Sequence, residues 1–156
     1  MTPIALMIAD GMKAESIAMI YAGLVQAGAI PVLLGVGRGT VKSADGQEFE
    51  PHASLQDARS VLFDAVVLPD GQQAVDCLAN DTHSVRLLKR QYRDCKTILA
   101  LGASATLLKK AGIAPNFPDG TPDPGVIVAP ATATGWIAPL MSAIDSAYRA
   151  GDAPAL

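Results

Sequence analysis

The chain has 156 residues, half of them hydrophobic and 17% charged, with a formal net charge of -3. That length suits one domain, spanning 1–156, that buries its core without disulfides or metals. A negative balance with no Lys/Arg cluster tracking a groove argues against nucleic acid. So few charges also predict a surface partly covered by partners. No apolar run reaches membrane-spanning length, and "MTPIALM" has neither the basic start nor the cleavage site of a signal peptide. The two cysteines, Cys77 and Cys95, form no CxxC and no disulfide framework. A reducing, cytoplasmic setting away from membranes is the expectation.

In chain order, "PIALMIA" (Pro3–Ala9) is predicted to be a buried strand that turns at Asp10-Gly11. Ala14, Ile17, Ala18, Tyr21, Leu24 and Val25 follow at helical spacing until Gly28 ends the helix. "AIPVLLG" is a second strand, with Pro31 marking its beginning or a sheet edge. "GTVKSADGQEFEP" reads as a β-hairpin about Asp45-Gly46. "DAVVLP" (Asp64–Pro69) is a third core strand, leaving at Asp70-Gly71. "QAVDCLA" has an apolar helical pattern, and a helix is expected from His83 to Asp94. "TILALGASATLL" is a strand running straight into a helix. A proline-rich excursion (Pro115, Pro118, Pro122, Pro124) leads to the strand "GVIVAP", a closing helix from Trp136 to Ala150, and a frayed tail, "GDAPAL". Apolar strands alternating with helices imply a mostly parallel sheet covered on both faces. Ligands of such folds bind beyond the carboxyl ends of the strands, where Asp10-Gly11, Asp70-Gly71 and Gly102 fall.

The turn Gly102-Ala103-Ser104 sits where many α/β enzymes carry a nucleophile. Gly102 has no reactive atom. "GAS" lacks the second glycine of G-x-S-x-G, so Ser104 is expected to cap helix N–H groups. A triad or metal site needs histidines at the strand ends, and His52 and His83 lie elsewhere. Cys77 and Cys95 are read as small buried residues. "GVGRG" (Gly35–Gly39) leads into the hairpin rather than a helix and is a turn, not a phosphate loop. Glu15 is a first-turn acid favoured by the helix dipole. Trp136 is read as packing at the start of the last helix.

"ALMIADG", "AVVLPDG", "ILALGAS" and "GVIVAPATATGWIAPLMSAI" together resemble the PfpI-like branch of the class I glutamine amidotransferase-like superfamily. The resemblance implies a flavodoxin-like three-layer α/β sandwich with a mostly parallel sheet and a small β-hairpin. It puts Gly102 at the family's cysteine, Ala103 at its histidine-like position and Ser104 at the following glycine. The family's glutamate falls at Ser16, one place from Glu15. This implies a vestigial elbow at Gly102, Ala103 and Ser104 beside a vestigial pocket of Asp10, Gly11, Glu15, Ser16, Asp70 and Gly71, with no catalytic and no metal-binding residue.

"GTVKSADGQEF", "SVLFDAVVLPDG", "YRDCKTILALG" and "LLKKAGI" are similar to the C-terminal domain of large-subunit haem catalases. That similarity implies a non-catalytic accessory domain of an enzyme that decomposes hydrogen peroxide to water and oxygen. Haem would then belong to the catalase core, and this domain would hold no cofactor. Tyr92 in "KRQYRD" lacks the context of a haem ligand. The implied partners are a catalase core, a second copy of the chain, or unfolded clients held in a chaperone-like way. The other reading is a free-standing PfpI-type hydrolase or glyoxalase using Cys77 or Cys95.

Overall fold

The computed structural model describes residues 2–58, 63–114, 116, 118–121, 123, 125–129 and 139–144. Its first strand, β1 (Thr2–Ile8), is apolar and wholly interior from Ile4 to Ile8. It leads through a turn into α1 (Ala14–Gln26) and then β2 (Ala29–Gly35). Two short strands, β3 (Val41–Lys42) and β4 (Glu48–Phe49), pair antiparallel as the hairpin expected about Asp45-Gly46. After β5 (Ala53–Ser54) and β6 (Ala65–Leu68) come α2 (Gln72–Ala79) and α3 (Thr82–Arg93). The stretch from Thr97 is β7 (Thr97–Leu101), a 3-10 turn at Gly102–Ser104 and α4 (Ala105–Lys110), followed by β8 (Val126–Ala129).

The main sheet runs β5-β2-β1-β6-β7-β8, and every pairing in it is parallel. Strands β1, β6 and β7 are apolar on both faces because helices cover both. The crossover through α1 goes one way along the sheet, and those through α2–α3 and α4 go the other. Right-handed connections therefore put α1 on one face and α2, α3 and α4 on the opposite one. Order reverses between β1 and β6, so the crevice that such sheets use for ligands opens at Asp10-Gly11 and Asp70-Gly71.

Strand β2 pairs with β1 along its whole length, but β5 covers only Leu34 and Gly35 on its other side. Pro31 is tolerated in that nearly open edge. His52 extends the pairing: its N–H donates to the Leu33 carbonyl at 2.8 Å, and its Nδ1 accepts from the Leu33 N–H at 2.9 Å. An imidazole thus stands in for a strand carbonyl.

One helical expectation needs correction. α1 buries Ala14, Ser16, Ile17, Ile20 and Leu24, while Tyr21 and Val25 are 36% and 53% exposed. The inward stripe therefore includes Ile20 and excludes three residues that the spacing places in it, Ala18, Tyr21 and Val25, all of them exposed. The two helical patterns "QAVDCLA" and His83 to Asp94 are observed as α2 and α3, kept apart because the chain breaks at Asn80 and restarts on Asp81, whose carboxylate accepts from the Ser84 N–H. Of the predicted closing helix, residues 139–144 are helical and bury Leu140 and Ile144. Trp136, Pro115, Pro122, Pro124 and the tail "GDAPAL" lie outside the described residues.

Candidate functional site

Three strand ends meet at the switch point. After β1 the chain turns at Gly11, with φ of 86°, where a Cβ would lie 2.6 Å from Gln73 at the start of α2. After β6, Gly71 has φ of 118°, and a Cβ there would be 2.5 Å from the Gly11 carbonyl. After β7, Gly102 has φ of 54°, and a Cβ would meet the Asp70 carboxylate at 2.4 Å. Only glycine fits such left-handed, crowded positions without strain. The glycines let the three turns close on one another.

Asp70 is the centre of this junction and is buried. Its Oδ1 accepts from the Gly71 N–H and the Ala103 N–H, both at 2.8 Å. Lys13 Nζ stands 3.4 Å from Oδ2. Burial works against the charge on Asp70, but the two amides and then Lys13 outweigh it and hold the carboxyl below its ordinary value. A carboxylate therefore fills the space that a side chain on residue 102 would occupy.

Neighbouring groups divide into those that reach this centre and those that do not. Gly11, Asp70, Gly71, Gly102 and Ala103 come together. Asp10 turns away: its Oδ1 accepts from the Lys42 N–H at 2.9 Å, while the Gly11 N–H donates to the Lys42 carbonyl at 2.9 Å. The Ala44 N–H also donates to the Met12 carbonyl at 2.7 Å, so the hairpin is strapped onto the β1 turn. Glu15 is exposed in the first turn of α1, and Ser16 is buried. Lys13 and Gln73 are the contributors that spacing alone did not single out as site residues.

Ser104 departs from its expected capping role. It is buried, and its hydroxyl donates back to the Leu101 carbonyl at 2.7 Å, because it lies within the 3-10 turn rather than ahead of it. The cysteines also depart from expectation, since both are exposed. α2 turns Ala74, Val75 and Leu78 inward, which leaves Cys77 on its outer side. Partial burial of its sulfur, then Asp10 and Asp81, push the Cys77 thiol up, away from the thiolate a nucleophile needs. Cys95 occupies a left-handed position, φ 58°, at the end of α3.

Tyr92 is 39% exposed near the end of α3, and the groove along that helix is lined by His83, Arg86, Leu87, Lys89, Arg90 and Arg93. The groove is cationic, and Tyr92 does not line it. Among the described residues no group of three or more His, Cys, Asp or Glu could hold a metal ion, and no helix is long and apolar enough to cross a membrane.

A parallel sheet with a switch point between β1 and β6, and a glycine at the elbow after β7, defines a flavodoxin-like α/β domain. The chain belongs to the DJ-1/PfpI family, whose model matches residues 2–117. Solved relatives share the architecture: DJ-1beta of Drosophila melanogaster superposes with a TM-score of 0.76 at 22% identity, over 95% of this chain and 89% of that one. Oxidized DJ-1 of Toxoplasma gondii gives 0.74 at 16% identity, over 92% and 87%. In sequence the chain is similar to Catalase HPII of Mycobacterium avium, 36% identical over 111 residues, 70% of this chain and 16% of that protein. Catalase-1 of Neurospora crassa is 31% identical over 108 residues, 69% of this chain and 15% of that protein. The chain thus spans about a sixth of the catalases it matches.

Proposed function

We propose that this chain is a non-catalytic accessory domain of the kind carried by large-subunit catalases, supporting a peroxide-decomposing core rather than reacting itself. The observation that carries the reading is the Asp70 carboxylate bonded to the Gly71 and Ala103 amides at the elbow, where the family's reactive group would project. The similarity to catalases at 31–36% identity supports the same reading. Haem would reside in the catalase core, and the domain's partners would be that core, a second copy, or unfolded clients in a cytoplasmic setting. Tyr21, Val25 and Ile30 offer apolar surface for such contacts.

The test supplies the purified chain to a large-subunit catalase lacking its own C-terminal domain. Stable co-elution and slower thermal inactivation of peroxide decomposition are expected, with no activity or Soret band from the chain alone. Failure to associate and to protect would overturn the reading. So would a hydrolase or glyoxalase activity abolished by Cys77→Ala or Cys95→Gly, which would favour a free-standing PfpI-type enzyme instead.

A further inference from the structure

We propose that Asp70 closes the elbow from within, taking both the space a side chain at position 102 would need and the two amides such a group's chemistry would use. Loss of the nucleophile and closure of the site are then one coupled feature, and the chain holds a latent reactive site whose lock is Asp70. The proposal holds whatever the domain is attached to.

Three observations support it. A Cβ on Gly102 would lie 2.4 Å from Asp70 Cγ and Oδ1 and 2.6 Å from Oδ2, far inside contact distance. The obstacle is a carboxylate pinned by two amides, not the free end of a flexible chain. Those amides come from two different strand ends and converge on one oxygen, each at 2.8 Å, which is the geometry that stabilises an oxyanion. Here the anion is permanent and tethered. Finally, a thiol on residue 102 would sit against this negative charge, which disfavours the thiolate even beside a helix start.

A double-mutant cycle tests the lock, in a Cys77→Ala/Cys95→Gly background so that position 102 carries the only thiol. The variants are Gly102→Cys, Asp70→Gly and both together, read by urea unfolding and by the pH dependence of iodoacetamide alkylation. The left-handed φ of residue 102 strains a side chain with or without Asp70, so that cost cancels in the cycle. Gly102→Cys alone is expected to be strongly destabilised or unfolded. The double variant should fold, with a coupling of at least about tenfold in the unfolding equilibrium constant. Its thiol should alkylate at neutral pH at least about tenfold faster than that of unfolded chain in urea, with a lower midpoint. Additive effects in the cycle would overturn the proposal. An unfolded double variant would do so too, because removing the carboxylate would then not have made room. A folded double variant with an ordinary thiol would refute the latent site.

Discussion

Lys13 holds Asp70 at two levels: its main-chain N–H donates to the Asp70 carbonyl at 3.0 Å, and its Nζ lies 3.4 Å from Oδ2. The Lys13 side chain is 61% exposed, so solvent screens the ion pair and little stability rests on it. The weight falls on the less exposed partners, the amides of buried Gly71 and half-buried Ala103, which would lose their acceptor with the carboxylate.

Asp70→Ala should therefore cost about 2–4 kcal/mol, through two lost charge-assisted bonds and two orphaned amides. Lys13→Ala should cost no more than about 1 kcal/mol. The carboxyl is held below its ordinary value in the fold, so its stabilisation is fully present above about pH 4 and is lost as pH falls through the lower folded value. Asp70→Asn should flatten the stability profile in that acid window relative to the parent. Equal acid slopes in urea titrations of the two proteins would contradict the assignment.

Two glycines separate strain from crowding. Gly46 in the hairpin turn has φ of 88° with nothing within 4 Å of where a methyl group would lie, whereas Gly102 has φ of 54° and faces Asp70. Gly46→Ala should cost about 1 kcal/mol from its left-handed backbone alone. Gly102→Ala adds displacement of a fixed carboxylate and should cost about 2–4 kcal/mol. Similar urea midpoints for the two variants would mean that the elbow is an ordinary loop.

His52 makes a structural prediction from a residue type usually searched for chemistry. Its imidazole satisfies the Leu33 N–H at a strand edge that β5 leaves uncovered. His52→Ala should cost about 1 kcal/mol, and His52→Asn less, because an amide oxygen can take the place of Nδ1. Faster amide exchange at Leu33 in the alanine variant checks the cause.

The strands were legible because β1, β6 and β7 are apolar on both faces, which writes them as continuous runs. The turns were legible as Asp-Gly pairs. Their roles were not, since the same dipeptide sends Asp10 to the hairpin at Lys42 and Asp70 to the elbow. Asp70 and Ala103 are 33 residues apart and meet only because β6 lies beside β7, a contact that no local spacing encodes. Ala18, Tyr21 and Val25 fall outside the buried stripe for a related reason: periodicity counts apolar residues, not whether anything covers them. Cys77 and Cys95 looked buried because cysteine usually is.

Cys95 offers the last prediction, through a comparison within the chain. At the end of α3 the Cys95 N–H donates to the Tyr92 carbonyl at 3.1 Å and the Lys96 N–H to the Gln91 carbonyl at 2.8 Å. At the end of α4 the Gly112 N–H donates to Lys109 at 3.1 Å and the Ile113 N–H to Leu108 at 2.9 Å, the same paired motif. That motif calls for a left-handed residue just past the helix, and Gly112 meets it at φ of 76°. Cys95 meets it at φ of 58° with a Cβ that opposes the conformation. Cys95→Gly should therefore raise stability by about 0.5–1 kcal/mol, even after the extra freedom glycine gives the unfolded chain. Cys95→Ala keeps the Cβ and should stay within about 0.5 kcal/mol of the parent. Urea unfolding with unchanged slope measures both. A Cys95→Gly midpoint below that of Cys95→Ala would show that the thiol contributes more than the strained backbone costs.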